Sequence, residues 1–307
     1  MTGHKADFES GYEKFVHFVD SYNLFPTDRN KIVIAYSGGK DASLLLDFLN
    51  EYKNRSRPDI SIELITAVFP RFLYDSPDPS RRARVDSAVK YWTDKGFLHT
   101  RINAGPEFPD SILDGDNPCQ QCALVIKPTL FGKHIVQSKY EGAVFSVGLT
   151  LDDAIGWFIE LLLVAADRGD WKEIKKANPK LYSLAMLLSV RVSCRLQIKK
   201  NNLLYSRPMM VFNDNEIRRM VAERGLPLIP EDCKEVQGRD VFVDSPRRDI
   251  GIALEAVRRK YPADSPVGMG SIYSDYNRAT GYFKKSGLLP DQEEREKFVS
   301  DGLPSIK

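Results

Sequence analysis

A strand, a glycine turn and a helix follow one another directly near the start of the chain, and this order constrains the fold most. Residues 31–36, KIVIAY, form a β-branched run typical of a buried strand. Residues 43–52, SLLLDFLNEY, have the length and apolar spacing of a helix. The connecting residues are Ser37, Gly38, Gly39, Lys40 and Asp41. A strand that turns directly into a helix predicts a βαβ unit, in which the two strands are parallel.

Strands continue to alternate with helices along the chain. Further strand-like runs cover residues 60–69, 98–102 and 144–148, and helix-like runs cover 8–24, 80–96, 124–140, 152–167 and 213–224. This alternation predicts an α/β fold with a parallel twisted sheet and helices on both faces. The predicted parts are an N-terminal helical segment (1–30), the α/β domain (31–168), a helical insertion (169–203), the remainder of the domain (204–262) and a C-terminal tail (263–307).

The composition predicts a cytoplasmic protein without membrane association. The chain has 307 residues with 44 Lys and Arg against 42 Asp and Glu, which argues against nucleic-acid binding chiefly through bulk charge. Its longest apolar stretch, residues 154–166, contains Glu160 and is too short to span a bilayer. The N-terminus lacks the apolar segment of a secretory signal. Four cysteines are too few for a disulfide framework, which fits a reducing compartment.

The glycine turn has the chemistry of a phosphate-binding loop. Gly38 and Gly39 let backbone N–H groups approach phosphate oxygens without a Cβ in the way, and the helix that follows offers unpaired N–H groups. Ser37 can donate a hydroxyl hydrogen bond, and Lys40 can neutralise phosphate charge. Asp41 can hold Mg²⁺. The loop lacks the G-x-x-x-x-G-K-[ST] pattern, so the sequence does not support a Walker-type NTPase.

Two cysteines form a C-x-x-C motif before the helix-like run 124–140. Cys119 and Cys122 fit a Zn²⁺ site, an iron–sulfur cluster or a redox pair. Zinc needs two further ligands, and the remaining thiols, Cys194 and Cys233, are not a close pair. Three cysteines on a cluster would leave one iron without a protein ligand.

The segment AYSGGKDASLLL resembles the PP-loop of the ATP-pyrophosphatase superfamily, whose usual form is SGGxDS. The resemblance implies an enzyme that uses ATP to adenylate a carbonyl or carboxyl oxygen, with release of pyrophosphate, before a nucleophile displaces AMP. Ala42 replaces the last serine of the family pattern, and Ser43 follows it. One hydroxyl contact to phosphate is therefore lost or moved to Ser43.

The cysteines resemble one branch of this superfamily, the tRNA-2-thiocytidine synthetases with their tRNA-2-thiouridine relatives. Cys119 lies 78 residues after Asp41, and Cys233 lies 111 residues after Cys122. The resemblance covers about residues 10–262 and also includes Arg207-Pro208, the helix-like run 213–224 and the segment LPLIPEDC that ends at Cys233. It implies a [4Fe-4S] cluster bound by Cys119, Cys122 and Cys233, whose open iron carries a hydrosulfide. Cys194 lies outside the pattern.

The segment GLTLDD resembles the family's G-x-x-x-D-D step between a strand and a helix. Gly148, Asp152 and Asp153 are its fixed positions, and the resemblance implies that the two acids hold Mg²⁺ or orient the activated base. N-capping of the helix is the alternative role for these acids. The family usually has His and Arg between the glycine and the two acids, and this chain has Leu149, Thr150 and Leu151 there instead. This difference concerns the identity of the acceptor more than the type of reaction.

Taken with its resemblance, the sequence predicts an ATP-dependent sulfurtransferase that replaces a nucleobase oxygen with sulfur. The predicted catalytic residues are Lys40, Asp41 and Asp153. The backbone of Ala67 is the predicted contact to adenine. The resemblance favours tRNA as the acceptor, with a free nucleotide or nucleobase as the alternative. Sulfide or a cysteine desulfurase would supply the sulfur, and the sequence allows a homodimer. An adenylating ligase with structural zinc is the second alternative.

Overall fold

The computed structural model describes residues 7–68, 79–103, 126–158, 182, 186, 189–229 and 292–300. Helices are α1 (Asp7–Ser21), α2 (Lys40–Arg55), α3 (Pro79–Asp94), α4 (Lys127–Ile135), α5 (Asp214–Arg224) and α6 (Gln292–Ser300), and residues 151–158 are helical too. Strands are β1 (Lys31–Ala35), β2 (Ser61–Val68), β3 (Leu98–Asn103), β4 (Val144–Ser146), β5 (Arg195–Ile198) and β6 (Leu203–Ser206). Short 3₁₀ turns cover Ser138–Tyr140, Lys200–Asn202 and Pro208–Val211.

The strands form one six-stranded sheet in the order β3-β2-β1-β4-β6-β5. All neighbouring strands are parallel except β5, which pairs antiparallel with β6 at the edge. The chain runs outward from β1 through β2 to β3 and then returns to place β4 on the other side of β1. The carboxyl ends of β1 and β4 therefore flank the point where the strand order reverses, which is where open α/β sheets bind ligands.

Apolar side chains of the central strands pack on both faces of the sheet. Ile32 and Ile34 of β1 belong to a large core cluster that includes residues of α1, α2, α3 and α5. Val33 lies between them and joins a second cluster with Phe145 of β4 and Ile135 of α4. Burial on both faces explains why β1 is a continuous apolar run. The predicted α/β class, with helices on both faces of a mostly parallel sheet, is confirmed.

Most of the first part of the predicted helical insertion at 169–203 lies outside the described residues, and its last part contains strand β5, Arg195–Ile198, rather than a helix. Leu196 and Ile198 are buried while Arg195 and Gln197 are half-exposed, which is the period of an edge strand. Four residues between polar neighbours are too short to reveal that period in the sequence. Helix α6, from the predicted tail, packs on this strand, and the Gln197 N–H donates to Glu296 at 3.2 Å.

Within the described ranges, no helix combines the length and the apolar character needed to cross a membrane.

The helix-like run 43–52 begins earlier than predicted, at Lys40, so the last two residues of the glycine turn already belong to α2. This places both side chains in the first turn of a helix, at the carboxyl end of the sheet.

Candidate functional site

The loop after β1 presents an uncapped helix N-terminus. Gly39 is the N-cap of α2 in an extended conformation, and it has no side chain with which to cap the first-turn N–H groups. Ser37 is exposed, and its hydroxyl oxygen accepts the N–H of Gly39 at 3.3 Å. The orphan N–H groups and the positive end of the helix dipole together form an anion-binding end.

Ile229 fixes the conformation of this loop from the side. Gly38 has a φ of +78°, a conformation that L-residues rarely adopt. A Cβ there would lie 2.1 Å from Cδ1 of Ile229, and the Ile229 N–H donates to the Gly38 carbonyl at 2.9 Å. Ile229, which precedes Cys233 by four positions in the sequence, is therefore in contact with the glycine loop itself.

Gly148 brings the end of β4 against the start of α2. A Cβ on Gly148 would lie 2.9 Å from both the Asp41 carbonyl carbon and the Ala42 nitrogen. These contacts are to backbone, so the neighbouring atoms cannot rotate away as a side chain could. The glycine of the predicted G-x-x-x-D-D step thus permits two backbones to meet at the loop, and the structure brings these two predicted motifs together.

The Lys40 ammonium lies between two carboxylates from different helices. Its Nζ is 2.8 Å from Oδ1 of Asp214, and 3.2 Å and 3.3 Å from Oδ1 and Oδ2 of Asp41. Asp214 is the first residue of α5, and it is absent from the set of site residues predicted from the sequence. The sequence carried one signal for it, an acidic first turn in the capped helix 213–224, but nothing that placed this turn beside Lys40.

Asp152 and Asp153 both make contacts that organise helix ends. Oδ2 of Asp153 accepts the N–H and the hydroxyl of Thr150, each at 3.1 Å, which closes the first turn of the helical residues 151–158. Oδ2 of Asp152 accepts the backbone N–H of Asp214 at 2.7 Å. The capping alternative from the sequence is therefore realised, and the same contact ties Asp152 to the helix that carries Asp214.

The electrostatics of the cluster differ from one group to the next. Burial raises the pKa of Asp41 to about 6; Lys40 opposes this shift, whereas Asp153 and Asp214 add to it. Burial also acts to raise the pKa of Asp214, but hydrogen bonds from Lys40 and Arg218 hold it below its usual value. Burial acts to lower the pKa of Lys40, yet Asp41 and Asp214 leave it raised. The site thus holds a charged ammonium beside a carboxylate that is poorly stabilised as an anion.

Several buried oxygens at the carboxyl end of the sheet have no hydrogen-bond partner among the described residues. They are the hydroxyls of Ser43, Ser146 and Ser206, together with Oδ1 of Asp41, which lies 3.2 Å from the Lys40 ammonium but outside hydrogen-bond geometry. The predicted phosphate contact Ser43 is fully buried on α2, and Ser146 and Ser206 are register partners at the ends of β4 and β6. An unsatisfied buried acceptor favours binding of a cation or donor. Oδ1 of Asp41 is therefore suited to Mg²⁺, which proteins usually bind through one or two carboxylates together with substrate phosphates.

The remaining predicted residues divide into two groups. Ala67 is buried near the carboxyl end of β2, next to the strand that carries the loop, and Ile65 of β2 accepts the Tyr36 N–H at 2.9 Å. Cys119, Cys122 and Cys233 lie outside the described residues. Within the part of the chain that is described, no group of three or more His, Cys, Asp or Glu side chains is arranged to hold a metal ion.

No protein-family model matches the sequence, and no curated protein matches it. Among solved structures, the chain is similar to the U34-tRNA thiolase NcsA from Methanococcus maripaludis with its [4Fe-4S] cluster. The two share 17% sequence identity with a TM-score of 0.60, over 90% of this chain and 80% of the thiolase chain. At this identity the likeness shows a common fold, which agrees with the α/β fold that the sequence predicts.

Proposed function

We propose that this chain is an ATP-dependent sulfurtransferase that adenylates a nucleobase carbonyl and replaces its oxygen with sulfur. The observation that carries the proposal is the loop Gly38–Asp41, an uncapped helix N-terminus beside Lys40 at the reversal point of the strand order. This arrangement suits a triphosphate. The likeness to a tRNA thiolase with a [4Fe-4S] cluster supports thiolation as the use to which ATP is put.

In this proposal the loop and its neighbours bind and activate ATP. Backbone N–H groups from Gly38 to Asp41 hold phosphate oxygens, and Lys40 neutralises charge as pyrophosphate leaves. Asp41, assisted by Asp153, holds Mg²⁺ through its unsatisfied oxygen. The new bond joins the α-phosphorus to the carbonyl oxygen. Sulfur then takes that oxygen's place, and AMP leaves with the oxygen.

Cys119, Cys122 and Cys233 are proposed to hold a [4Fe-4S] cluster, which supplies sulfur chemistry at the iron without a protein ligand. The contact between Ile229 and Gly38 supports a shared centre for ATP and sulfur. Ile229 precedes Cys233 by four residues, a length of chain that reaches at most about 14 Å.

The proposed acceptor is tRNA, the substrate class of the similar thiolase. A free nucleotide or nucleobase is the second candidate, because the net charge is only +2. The altered G-x-x-x-D-D step is a second reason, because Thr150 stands where the family has a different residue. The backbone N–H and the hydroxyl of Thr150 both donate to Asp153. Isolation of the chain with or without bound RNA, followed by thiolation assays on both acceptor classes, separates the two.

The first test is anaerobic purification with analysis of iron, sulfide and zinc. We expect about four irons and four sulfides per chain, lost in Cys233→Ala and retained in Cys194→Ala, the matched control outside the cysteine pattern. Pyrophosphate release from ATP, measured on the same preparations, reports the adenylation step separately. Stoichiometric zinc, or no metal with Cys233 dispensable, would contradict sulfur transfer and favour an adenylating ligase.

A further inference from the structure

Asp214 combines two contacts that an ordinary first-turn acid of a helix does not need. Its carboxylate Oδ1 lies 2.8 Å from Lys40, which comes from the first turn of a different helix. Its own backbone N–H donates to Asp152 at 2.7 Å. An acid in a first turn normally serves the helix dipole and faces solvent. Here the N-terminus of α5 instead faces the N-terminus of α2.

The orientation of the Asp214 carboxylate is fixed from both sides. Arg218, one turn further along α5, donates to Oδ2 at 2.5 Å, which leaves Oδ1 directed at Lys40. Asp152 fixes the backbone of Asp214, and the capping box of Asn213 and Glu216 fixes the start of the helix. A carboxylate held in this way is a rigid anchor for a flexible partner.

Lys40 is such a partner, since a lysine side chain has many rotamers and loses conformational entropy when it is ordered. Its side chain is 24% exposed, so it remains accessible to a ligand. An ammonium carries three N–H donors. With Asp41 and Asp214 each accepting one, the third can be directed to a phosphate oxygen.

We propose that Asp214 is a positioning residue, which holds the Lys40 ammonium at the phosphate loop so that it meets the triphosphate without first being ordered. This role rests on the proposed ATP-dependent function. Asp214 acts through Lys40 and need not touch ATP itself. We therefore expect a substitution of Asp214 to have no effect on ATP binding when Lys40 is absent.

The experiment measures ATP affinity by calorimetry, with Mg²⁺ and without acceptor, on the anaerobically purified full chain. We expect Asp214→Asn, which retains the backbone N–H to Asp152, to weaken ATP binding by about three- to ten-fold. In a Lys40→Met background the same substitution should change the affinity by less than about two-fold. Asp214→Glu, which keeps the charge, should bind ATP more tightly than Asp214→Asn.

Asp7→Asn is the matched control, because it removes an ion pair between α1 and α5, with Arg219 at 3.0 Å, that does not involve Lys40. It should leave ATP affinity unchanged. If Asp214→Asn reduces ATP affinity equally with Lys40 present and in the Lys40→Met background, Asp214 has a purely structural role. If Asp214→Asn binds ATP more tightly, Asp214 competes with phosphate for Lys40. Either result overturns the proposal. Failure of the unsubstituted chain to bind ATP overturns the proposed function as well.

Discussion

The two ends of the sheet each place a carboxylate beside a lysine, yet the pKa values of the two acids move in opposite directions. At the amino end, Glu63 of β2 accepts hydrogen bonds from Thr100 and Tyr140, each at 2.7 Å, and pairs with Lys31 at 3.2 Å. Burial acts to raise its pKa, but these three partners hold it below its usual value. At the carboxyl end, burial raises the pKa of Asp41 to about 6 despite Lys40.

The difference lies in how fully the protein satisfies each acid. Both oxygens of Glu63 have partners within the fold, and its charge is part of the folded structure. Oδ1 of Asp41 accepts no hydrogen bond from the described residues, and Asp214 shares the lysine next to it. A carboxylate that is left poorly stabilised costs folding free energy, which a bound cation can recover. The comparison therefore separates an acid whose charge the fold stabilises from an acid whose charge it stabilises poorly.

The largest expected effect comes from Gly148→Ala. This substitution should disrupt the site at the carboxyl end of the sheet and leave the contacts of Glu63 at the amino end intact. The added Cβ would meet backbone at 2.9 Å and force the start of α2 away from β4. A displacement of about 1 Å in a phosphate site can cost about 100-fold in rate. We expect a loss of that order in ATP-dependent pyrophosphate release. Gly132→Ala, on α4 with nothing within 4 Å of the new Cβ, is the control and should retain full activity.

Glu63→Gln should destabilise the protein by about 2 kcal/mol at pH 7, because an amide donor would face groups that already donate. The folded pKa of Glu63 is depressed, so its stabilisation is fully present above the unfolded value of 4.5. It is lost as the pH falls through the folded value. Urea unfolding at pH 7 and at progressively lower pH measures this difference. A constant difference across the whole range would contradict the assigned role of the Glu63 charge.

Asp41→Asn should stabilise the protein, whereas Glu63→Gln destabilises it. We expect Asp41→Asn to raise the free energy of unfolding at pH 7 by about 1–2 kcal/mol. The folded pKa of about 6 exceeds the unfolded 3.8, so the folded state binds the proton more tightly. The contribution of Asp41 to stability therefore falls as the pH rises from about 4 through about 6, and the difference between the variant and the unsubstituted chain should grow over that range. The variant should also lose Mg²⁺-dependent ATP binding. Equal destabilisation by Asp41→Asn and Glu63→Gln would remove the distinction between the two ends.

The smallest expected effect is that of Ser43→Ala, which removes a buried hydroxyl without a partner among the described residues. We expect stability to rise by up to about 1 kcal/mol, since an unsatisfied polar group is replaced by an apolar one. If the hydroxyl serves phosphate, as the loop pattern predicts, ATP affinity falls in the same variant. Unchanged affinity would remove Ser43 from the phosphate contacts and leave the loop backbone and Lys40 to bind ATP.

Features that depend on local sequence were predictable. The run 31–36 gave β1, because strands buried on both faces need continuous apolar residues. The helix at 213–224 was equally clear, and in the structure Asn213 is its N-cap and Gly225, with a φ of +57°, is its left-handed C-cap. Strand β5 was not predictable, since four residues carry too little periodicity and its position depends on pairing with β6.

By itself, the sequence determined the α/β class and the glycine turn between β1 and α2, because strand and helix periods and glycine turns are encoded in neighbouring residues. Only the tertiary structure decided which distant groups meet at that loop. Gly148 against Asp41, Ile229 against Gly38 and Asp214 against Lys40 join residues separated by more than 100 positions. Such contacts follow from the order of strands in the sheet, a property of the whole chain that no local pattern contains.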